Sequence, residues 1–484
     1  MNRIRKFLFT NTTLRQTLLK NTFWLAASTT VSRIIRSIVI IFAARLLGTE
    51  HYGFFTYAMS LAALFTIFAD VGLSGLLTRE LAKRSEKDEF YISTLSFTKL
   101  ALIICSTLLI IIFGPLIAKF DEAKPLLVII ALLLAFDGLR SFIYSIIRSR
   151  NQMQSEAGFE LATEACLTAF CLGALLIKPT ALALAIGYMV GSGAGFLILA
   201  VSFRKSITRI FSRIKRQLII PILSTTLPFA IVGIFNVLMT NIDSVIIGVW
   251  NSAETLGLYG AAQRPMSLLY LLPGFLGTSL FPIMSTLVKE GNTAQAQVLV
   301  RKAVLASILL ATPIVLGGLL IAKPFINAIF GYSYVGAVPT FKILLVTLLP
   351  IFPGIIFYYL LFAENRQKVF IVSSGIGAII NIALDFLFIP RYGIAGSAVA
   401  TLCVQLVVNT ILFRAVRKHY VFNIKKEITK MFVALASMGT AVLALLSWST
   451  PLLVIIPVGI IVYVGVLILL KTEFIIDIKK SFVA

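Results

Sequence analysis

The chain alternates between long apolar runs and short polar breaks. Runs of about 20 residues, the length of an α-helix crossing a bilayer core of about 30 Å, recur along its whole length. The pattern predicts fourteen spans, near residues 22–47, 54–79, 91–118, 125–147, 157–177, 180–203, 219–249, 256–287, 303–330, 335–363, 367–389, 393–413, 429–447 and 451–470. A membrane β-barrel would show alternating segments of about 10 residues instead. The predicted fold class is an all-α polytopic membrane protein.

The positions of Lys and Arg test this segmentation. With the N-terminus inside, the cytoplasmic segments hold 31 of the 43 Lys and Arg. The outer loops hold only Lys119, Lys124, Lys178 and Arg391. Cytoplasmic loops retain positive charge, and a span missed or invented in mid-chain would collapse the asymmetry. Both termini are therefore expected in the cytoplasm, and most of the net charge of +23 is topology. The basic loops 204–216 and 414–430 read as charge resting on anionic lipid. The first of them divides the chain: an N-terminal lobe over 1–205, a second over 206–425, and two further helices within 426–484.

Composition narrows the function. Residues are 59% hydrophobic and 13% charged, against about a quarter charged in a soluble domain. A soluble enzyme, a disordered chain and a basic nucleic-acid binder are excluded. Cys105, Cys166, Cys171 and Cys403 sit in apolar runs as packing residues, and with only His51 and His419 no zinc site is expected. No small-residue cleavage site follows the first apolar run, so no removable signal peptide is expected. Walker A and HExxH motifs are absent, and extramembrane segments of about 20 residues cannot build a nucleotide-binding domain. The chain is not expected to be an enzyme, nor an ATP-driven pump by itself.

A short repeat relates the two lobes. Glu50-His51-Tyr52-Gly53-Phe54-Phe55 follows span 1, and Glu254-Thr255-Leu256-Gly257-Leu258-Tyr259 follows span 7. Six spans separate the copies, so the halves share an orientation. That is a parallel repeat about an axis along the membrane normal, a plan of secondary transporters with a central site.

Eight basic residues remain within or at the ends of spans: Arg33, Arg36, Arg45, Lys99, Arg140, Arg264, Lys323 and Lys342. Each costs about 2.5–3.5 kcal/mol at the bilayer centre unless paired or hydrated. Arg45, Lys99 and Lys323 lie near span ends and are expected to snorkel. Arg33 and Arg36 share one helix face with Ser28, Thr29 and Ser32, a face expected to line a cavity. Arg264 stands before Pro265, where a helix bends, and Arg140 lies three residues after Asp137, its expected partner. Further polar stripes are Asn236, Thr240 and Asp243 with Asn241 beside them, Asn381 with Asp385, and Asp70 next to Gly72. Glu156, Glu160 and Glu164 form one row, which makes Glu160 and Glu164 proton-carrier candidates. Pro228, Pro273, Pro313, Pro339, Pro350 and Pro353 are expected to break spans 7 to 10.

Several motifs carry a resemblance. Asn21-Thr22, Ala44-Arg45-Leu46-Leu47-Gly48, Tyr52-Gly53, Asp70-Val71-Gly72-Leu73 and Thr78-Arg79-Glu80-Leu81-Ala82 resemble the Wzx-type polysaccharide-biosynthesis flippases of the multidrug/oligosaccharidyl-lipid/polysaccharide exporter superfamily. Pro390-Arg391-Tyr392-Gly393-Ile394-Ala395-Gly396-Ser397-Ala398 looks like that family's second-half signature. The resemblance covers spans 1–12. It implies two six-helix lobes, alternating access, and transfer of an undecaprenyl-diphosphate-linked oligosaccharide to the outer leaflet of a bacterial inner membrane. It also implies that Arg33, Arg36 and Arg264 meet the diphosphate, with Arg140 a further substrate-binding candidate, and with membrane lipids and a polymerase or glycosyltransferase complex as further partners. No cofactor is implied, and coupling to H⁺ or Na⁺ stays open. Two other readings compete: a cation-coupled multidrug exporter, which would favour an acid-dominated cavity, and a scaffold for glycan assembly, which would need no charged interior.

Overall fold

The protein, a computed structural model, is described over residues 14–83, 89–210 and 214–472. The expected cytoplasmic charges Arg3, Arg5, Lys6, Arg84, Lys87, Arg213, Lys479 and Lys480 lie outside these residues, as do the side chains of Arg15, Lys83, Lys205 and Arg209. Fifteen α-helices and no strand occur among the described residues. Contacts divide the chain into two compact units, one ending at Gly257 and one starting at Leu258.

The first unit contains α1 (Leu14–Phe65), α2 (Leu73–Lys83), α3 (Glu89–Ile117), α4 (Ala123–Ser149), α5 (Met153–Ile177), α6 (Ala181–Ile210) and α7 (Ile219–Trp250). Helix α8 (Ala253–Leu269) straddles the boundary. The second unit continues with α9 (Leu271–Lys289), α10 (Thr293–Phe330), α11 (Val338–Val346), α12 (Leu348–Ala363), α13 (Gln367–Arg417), α14 (Lys425–Ser447) and α15 (Leu452–Leu469).

The fourteen expected spans map onto these helices with two double crossings. Among the described residues eleven stretches are long and apolar enough to cross a membrane, and the bent pair α1–α2 adds a twelfth. Helix α13 has 51 residues and α1 has 52. At 1.5 Å per residue each would extend about 75 Å, more than twice the hydrocarbon thickness. Each is two spans joined at a glycine with left-handed φ: Gly48 (φ 72°) and Gly393 (φ 57°). Only glycine takes that φ at little cost.

Two of the six expected proline breaks occur, at Pro273 and Pro350; Pro228, Pro313 and Pro353 lie inside continuous helices and Pro339 in the first turn of α11. A proline ring clashes with the carbonyl four residues earlier. Four residues before Pro273 is Leu269, where α8 ends. Four before Pro350 is Val346, where α11 ends, so span 10 becomes two helices. Span 2 breaks differently: a 3₁₀ turn at Thr66–Phe68 and Gly72 at φ 84° leave Asp70 in the gap before α2.

Within the first unit the two copies of the repeated motif touch. A Cβ added at Gly53 would run into the carbonyl of Ala253, and one at Gly257 into the carbonyl of Thr49. The contact is reciprocal, each glycine meeting the carbonyl four residues before the other. Lys119 ties down the same segment, its Nζ donating to the carbonyls of Val249 (2.8 Å) and Asn251 (3.0 Å) at the end of α7. In the same loop Lys124 donates a 2.6 Å hydrogen bond that holds the Asp121 carboxyl below the usual carboxylate range.

The core of the first unit gathers Leu73, Leu77, Leu95, Phe142, Ile146 and Leu199 from α2, α3, α4 and α6. In the second unit the last two helices, α14 and α15, pack on α10 through Leu305, Leu309, Met438 and Tyr463. The Tyr463 hydroxyl donates to the Leu309 carbonyl at 2.9 Å. Lipid is as apolar as leucine, so such close packing and interhelical hydrogen bonds, rather than escape from water, hold these helices together.

Candidate functional site

Polar residues of the first unit collect where α1, α4, α5 and α6 meet. On α1, successive residues turn by about 100°. Val31, Ile34, Ile38 and Phe42 form an exposed apolar stripe, and Thr29, Arg33 and Arg36 fall on the opposite side. Arg33 is exposed there and has no hydrogen bond or ion pair among the described residues.

Arg36 makes a two-pronged bond to α5. Its Nε donates to Glu164 Oε1 at 3.2 Å and its Nη2 to Oε2 at 2.7 Å. The pair is lopsided: the Arg36 side chain is 41% exposed and that of Glu164 only 2%. One turn earlier, Glu160 accepts a 2.8 Å hydrogen bond from Ser28. The third acid of the row, Glu156, is buried and clamped by Arg148, whose Nε lies 3.0 and 2.9 Å from the two carboxylate oxygens. Arg148 was counted by the sequence among the loop charges. The structure makes it the partner of a buried acid.

On α4, Arg140 pairs with Asp137 as its spacing predicts, and Ser192 of α6 donates to the same carboxylate at 2.7 Å. Arg140 is itself buried.

Lys99 corrects an expectation. Its place near the start of span 3 suggested snorkelling, but its side chain is 1% exposed. The ammonium lies 3.4 Å from Asp70 Oδ2 and donates to Ser74 Oγ, which donates in turn to Asp70. Ser141 of α4 stands 3.3 Å from Ser74. The break in span 2 supplies the partner, and the only sequence trace of it is the Asp70–Ser74 spacing of one turn. Because Asp70 is 37% exposed and Lys99 is not, the two ends of this pair differ in what their loss does. Asp70→Asn should destabilise the protein by about 3 kcal/mol, leaving a buried ammonium without a counterion. Lys99→Met should cost under about 1 kcal/mol, since Asp70 keeps water and Ser74. Thermal unfolding in detergent micelles checks the order, and equal losses would count against it.

The remaining sequence-predicted residues separate. In α7, Asn236 and Thr240 are exposed while Asp243 is buried, so that stripe does not share one environment. Asn241 bonds the Val237 carbonyl at 3.0 Å. Asn381 and Asp385 are buried together on α13 in the second unit. Arg264 is also in the second unit, half-buried and with no ion pair among the described residues, whereas Lys323 and Lys342 are exposed. The structure thus assembles Arg33, Arg36, Arg140, Glu160 and Glu164 in one unit and places Arg264, Asn381 and Asp385 in the other.

Comparison with known proteins adds sequence and fold relatives. Residues 18–288 match the polysaccharide biosynthesis protein family, and residues 228–387 match the MatE family. The probable low-salt glycan biosynthesis flippase Agl15 of Haloferax volcanii is 23% identical over 77% of this chain and 78% of its own length. The probable flippase AglR of the same organism is 26% identical over 37% of this chain and 38% of its own. Among solved structures, the lipid II flippase MurJ in an inward closed conformation superimposes with a TM-score of 0.74 at 18% identity, covering 91% of this chain and 97% of that one. An inward-facing multidrug resistance MATE transporter follows at 0.64 and 13%, over 80% and 94%. The fold is the one these transporters share.

Proposed function

The chain belongs to the polysaccharide biosynthesis protein family, and from that premise we propose that it is a flippase for lipid-linked oligosaccharides. The substrate is an undecaprenyl-diphosphate-linked repeat unit, carried from the cytoplasmic to the outer leaflet for surface polysaccharide assembly. The protein works in the cytoplasmic membrane with both termini inside, which the 31-to-4 distribution of Lys and Arg supports. It is a transporter rather than an enzyme.

The observation that carries this reading is the exposed cationic face of α1. Arg33 has no partner among the described residues, and Arg36, its side chain 41% exposed, lies on the same side. A diphosphate cannot enter hydrocarbon bare, and arginine offers a permanently charged, planar, bidentate donor to it. The prenyl chain stays in lipid while the headgroup meets the arginines. Arg264 is the corresponding cation of the second unit, half-buried and available to an anion. Arg140 is committed to Asp137 rather than free to donate to the substrate. A drug exporter for lipophilic cations would present acids where this face presents arginines.

Depletion of the protein, followed by mass spectrometry of extracted lipids, tests the proposal. The expected result is accumulation of a complete diphosphate-linked repeat unit with loss of surface glycan. Unchanged lipid-linked pools, with cells sensitised to cationic dyes, would move the protein to the exporter class.

A further inference from the structure

The bond between α1 and α5 joins an accessible cation to an inaccessible anion, and that asymmetry has a chemical consequence. Arg36 reaches open space on one side and holds Glu164 on the other, by the two hydrogen bonds of 3.2 and 2.7 Å. An anion that takes the Arg36 guanidinium for itself removes the counterion of a carboxylate that is 2% exposed.

Among the described residues Arg36 is the one cation in an ion pair with Glu164. The ionisable groups around the pair are Glu160 and Cys171 on α5, Tyr188 on α6, Asp137 with its partner Arg140 on α4, and the exposed Arg33 one turn before Arg36 on α1. Arg140 is committed to Asp137, and Ser192 fills a further acceptor site on that carboxylate. Glu160 is another acid, held by Ser28. A stranded carboxylate in this setting costs several kcal/mol as an anion, and the cheaper state is the neutral acid.

We propose that Arg36 and Glu164 form an exchange pair, in which an anionic headgroup captured by Arg36 releases it from Glu164 and Glu164 takes one proton from water. Headgroup and proton bind together. On release of the headgroup the guanidinium returns to Glu164 and the proton leaves. No bond other than the Glu164 O–H forms or breaks, and the charge that the substrate brings is reduced by one. This inference rests on the anion-binding reading above and adds to it the identity of the coupled ion and the residue that carries it.

The test uses the full-length protein in detergent micelles and farnesyl diphosphate as the probe. Calorimetric titrations at pH 7.5 in two buffers of different ionisation enthalpy give the protons taken up per molecule bound. Wild type should take up about one proton more than Glu164→Gln, in which the probe's own titration is unchanged. Equal uptake in the two, with both binding, overturns the exchange and leaves the anion-binding reading standing. Excess uptake that survives in Glu164→Gln and disappears in Glu160→Gln overturns the assignment to Glu164. Absence of binding by the wild type, or undiminished binding by Arg33→Gln/Arg36→Gln, overturns the anion-binding reading and the exchange with it.

A second measurement needs no variant. Uptake of one proton on binding makes the wild-type Kd tighten by up to about tenfold per unit as pH falls from 8 to 7. The probe loses charge over the same range, which weakens binding to arginine, so tightening cannot come from the probe. A Kd that is flat or rises as pH falls overturns the exchange.

Discussion

Replacing Arg36 with glutamine is expected to cost both export and folded protein, whereas Arg33→Gln should cost export alone. The difference lies in what each side chain leaves behind. Arg33 has no partner among the described residues, so its removal strands nothing. Arg36 neutralises Glu164, which is 2% exposed. Removing one member of a buried ion pair costs about 3–5 kcal/mol, because the other is left either charged in low dielectric or neutralised only at the cost of taking up a proton. With Arg36 itself 41% exposed, the lower end, about 3 kcal/mol, is expected. Glutamine can donate one hydrogen bond but no charge. The double variant Arg36→Gln/Glu164→Gln should recover most of the membrane abundance without recovering export, since two neutral amides can bond each other but cannot hold a diphosphate. Immunoblots of membrane fractions beside surface-glycan staining separate the two effects. Recovery of export in the double variant would remove Arg36 from substrate handling, and normal abundance of Arg36→Gln would show that the pair contributes nothing to folding.

Gly53→Val is the second substitution with a large expected effect. The Cβ of any other residue there meets the carbonyl of Ala253 and crowds the backbone nitrogen of Gly257. Backbone cannot rotate aside as a side chain can, so α1 and the start of α8 must separate. Overpacking a core costs about 1–3 kcal/mol, and a backbone contact with no rotamer to relieve it belongs at the top of that range. Small residues at helix contacts in membranes act in this way, by letting backbones approach. Gly257→Val should do the same through the Thr49 carbonyl. Gly173→Ala is the control: it lies inside α5 with open space around its Cα. There alanine should be neutral or stabilising by up to about 1 kcal/mol, the usual helix preference over glycine. Size-exclusion profiles and unfolding temperatures of the purified variants report the outcome. A Gly53→Val protein as stable as wild type would mean that the contact is not needed to hold these helices.

Much of the fold was legible because hydropathy is local and additive. The fourteen expected spans correspond to helices, and the short link at 178–180 appears between Ile177 and Ala181. The repeated motif was also visible, since its two copies share residue types and topological position. That their glycines touch was not visible: Gly53 and Gly257 are far apart in sequence, and nothing in either hexapeptide states which surface it packs against. The apolar pattern predicts span 2 as one unbroken run, because Ala69 to Gly72 lowers the average hydropathy too little to show as a gap.

The charged residues divide along the same line. Sequence alone determined which cations must reside within the membrane, because a 20-residue apolar run carries its charges with it wherever it goes. It determined Arg140 with Asp137, because three residues on a helix fix both side chains on one face. It determined the ends of α8 and α11, because a proline acts on the carbonyl four residues back. Tertiary structure decided the rest. Arg36 finds Glu164 across 128 residues, and Lys99 finds Asp70 across 29, through a helix break that turns the acid toward it. These pairings follow from which helices pack together, and that is set by close backbone approach and side-chain shape summed over the whole unit. The charge of a residue is written in the chain, but whether that charge is spent on a neighbour or left open to a ligand depends on where every other helix lies.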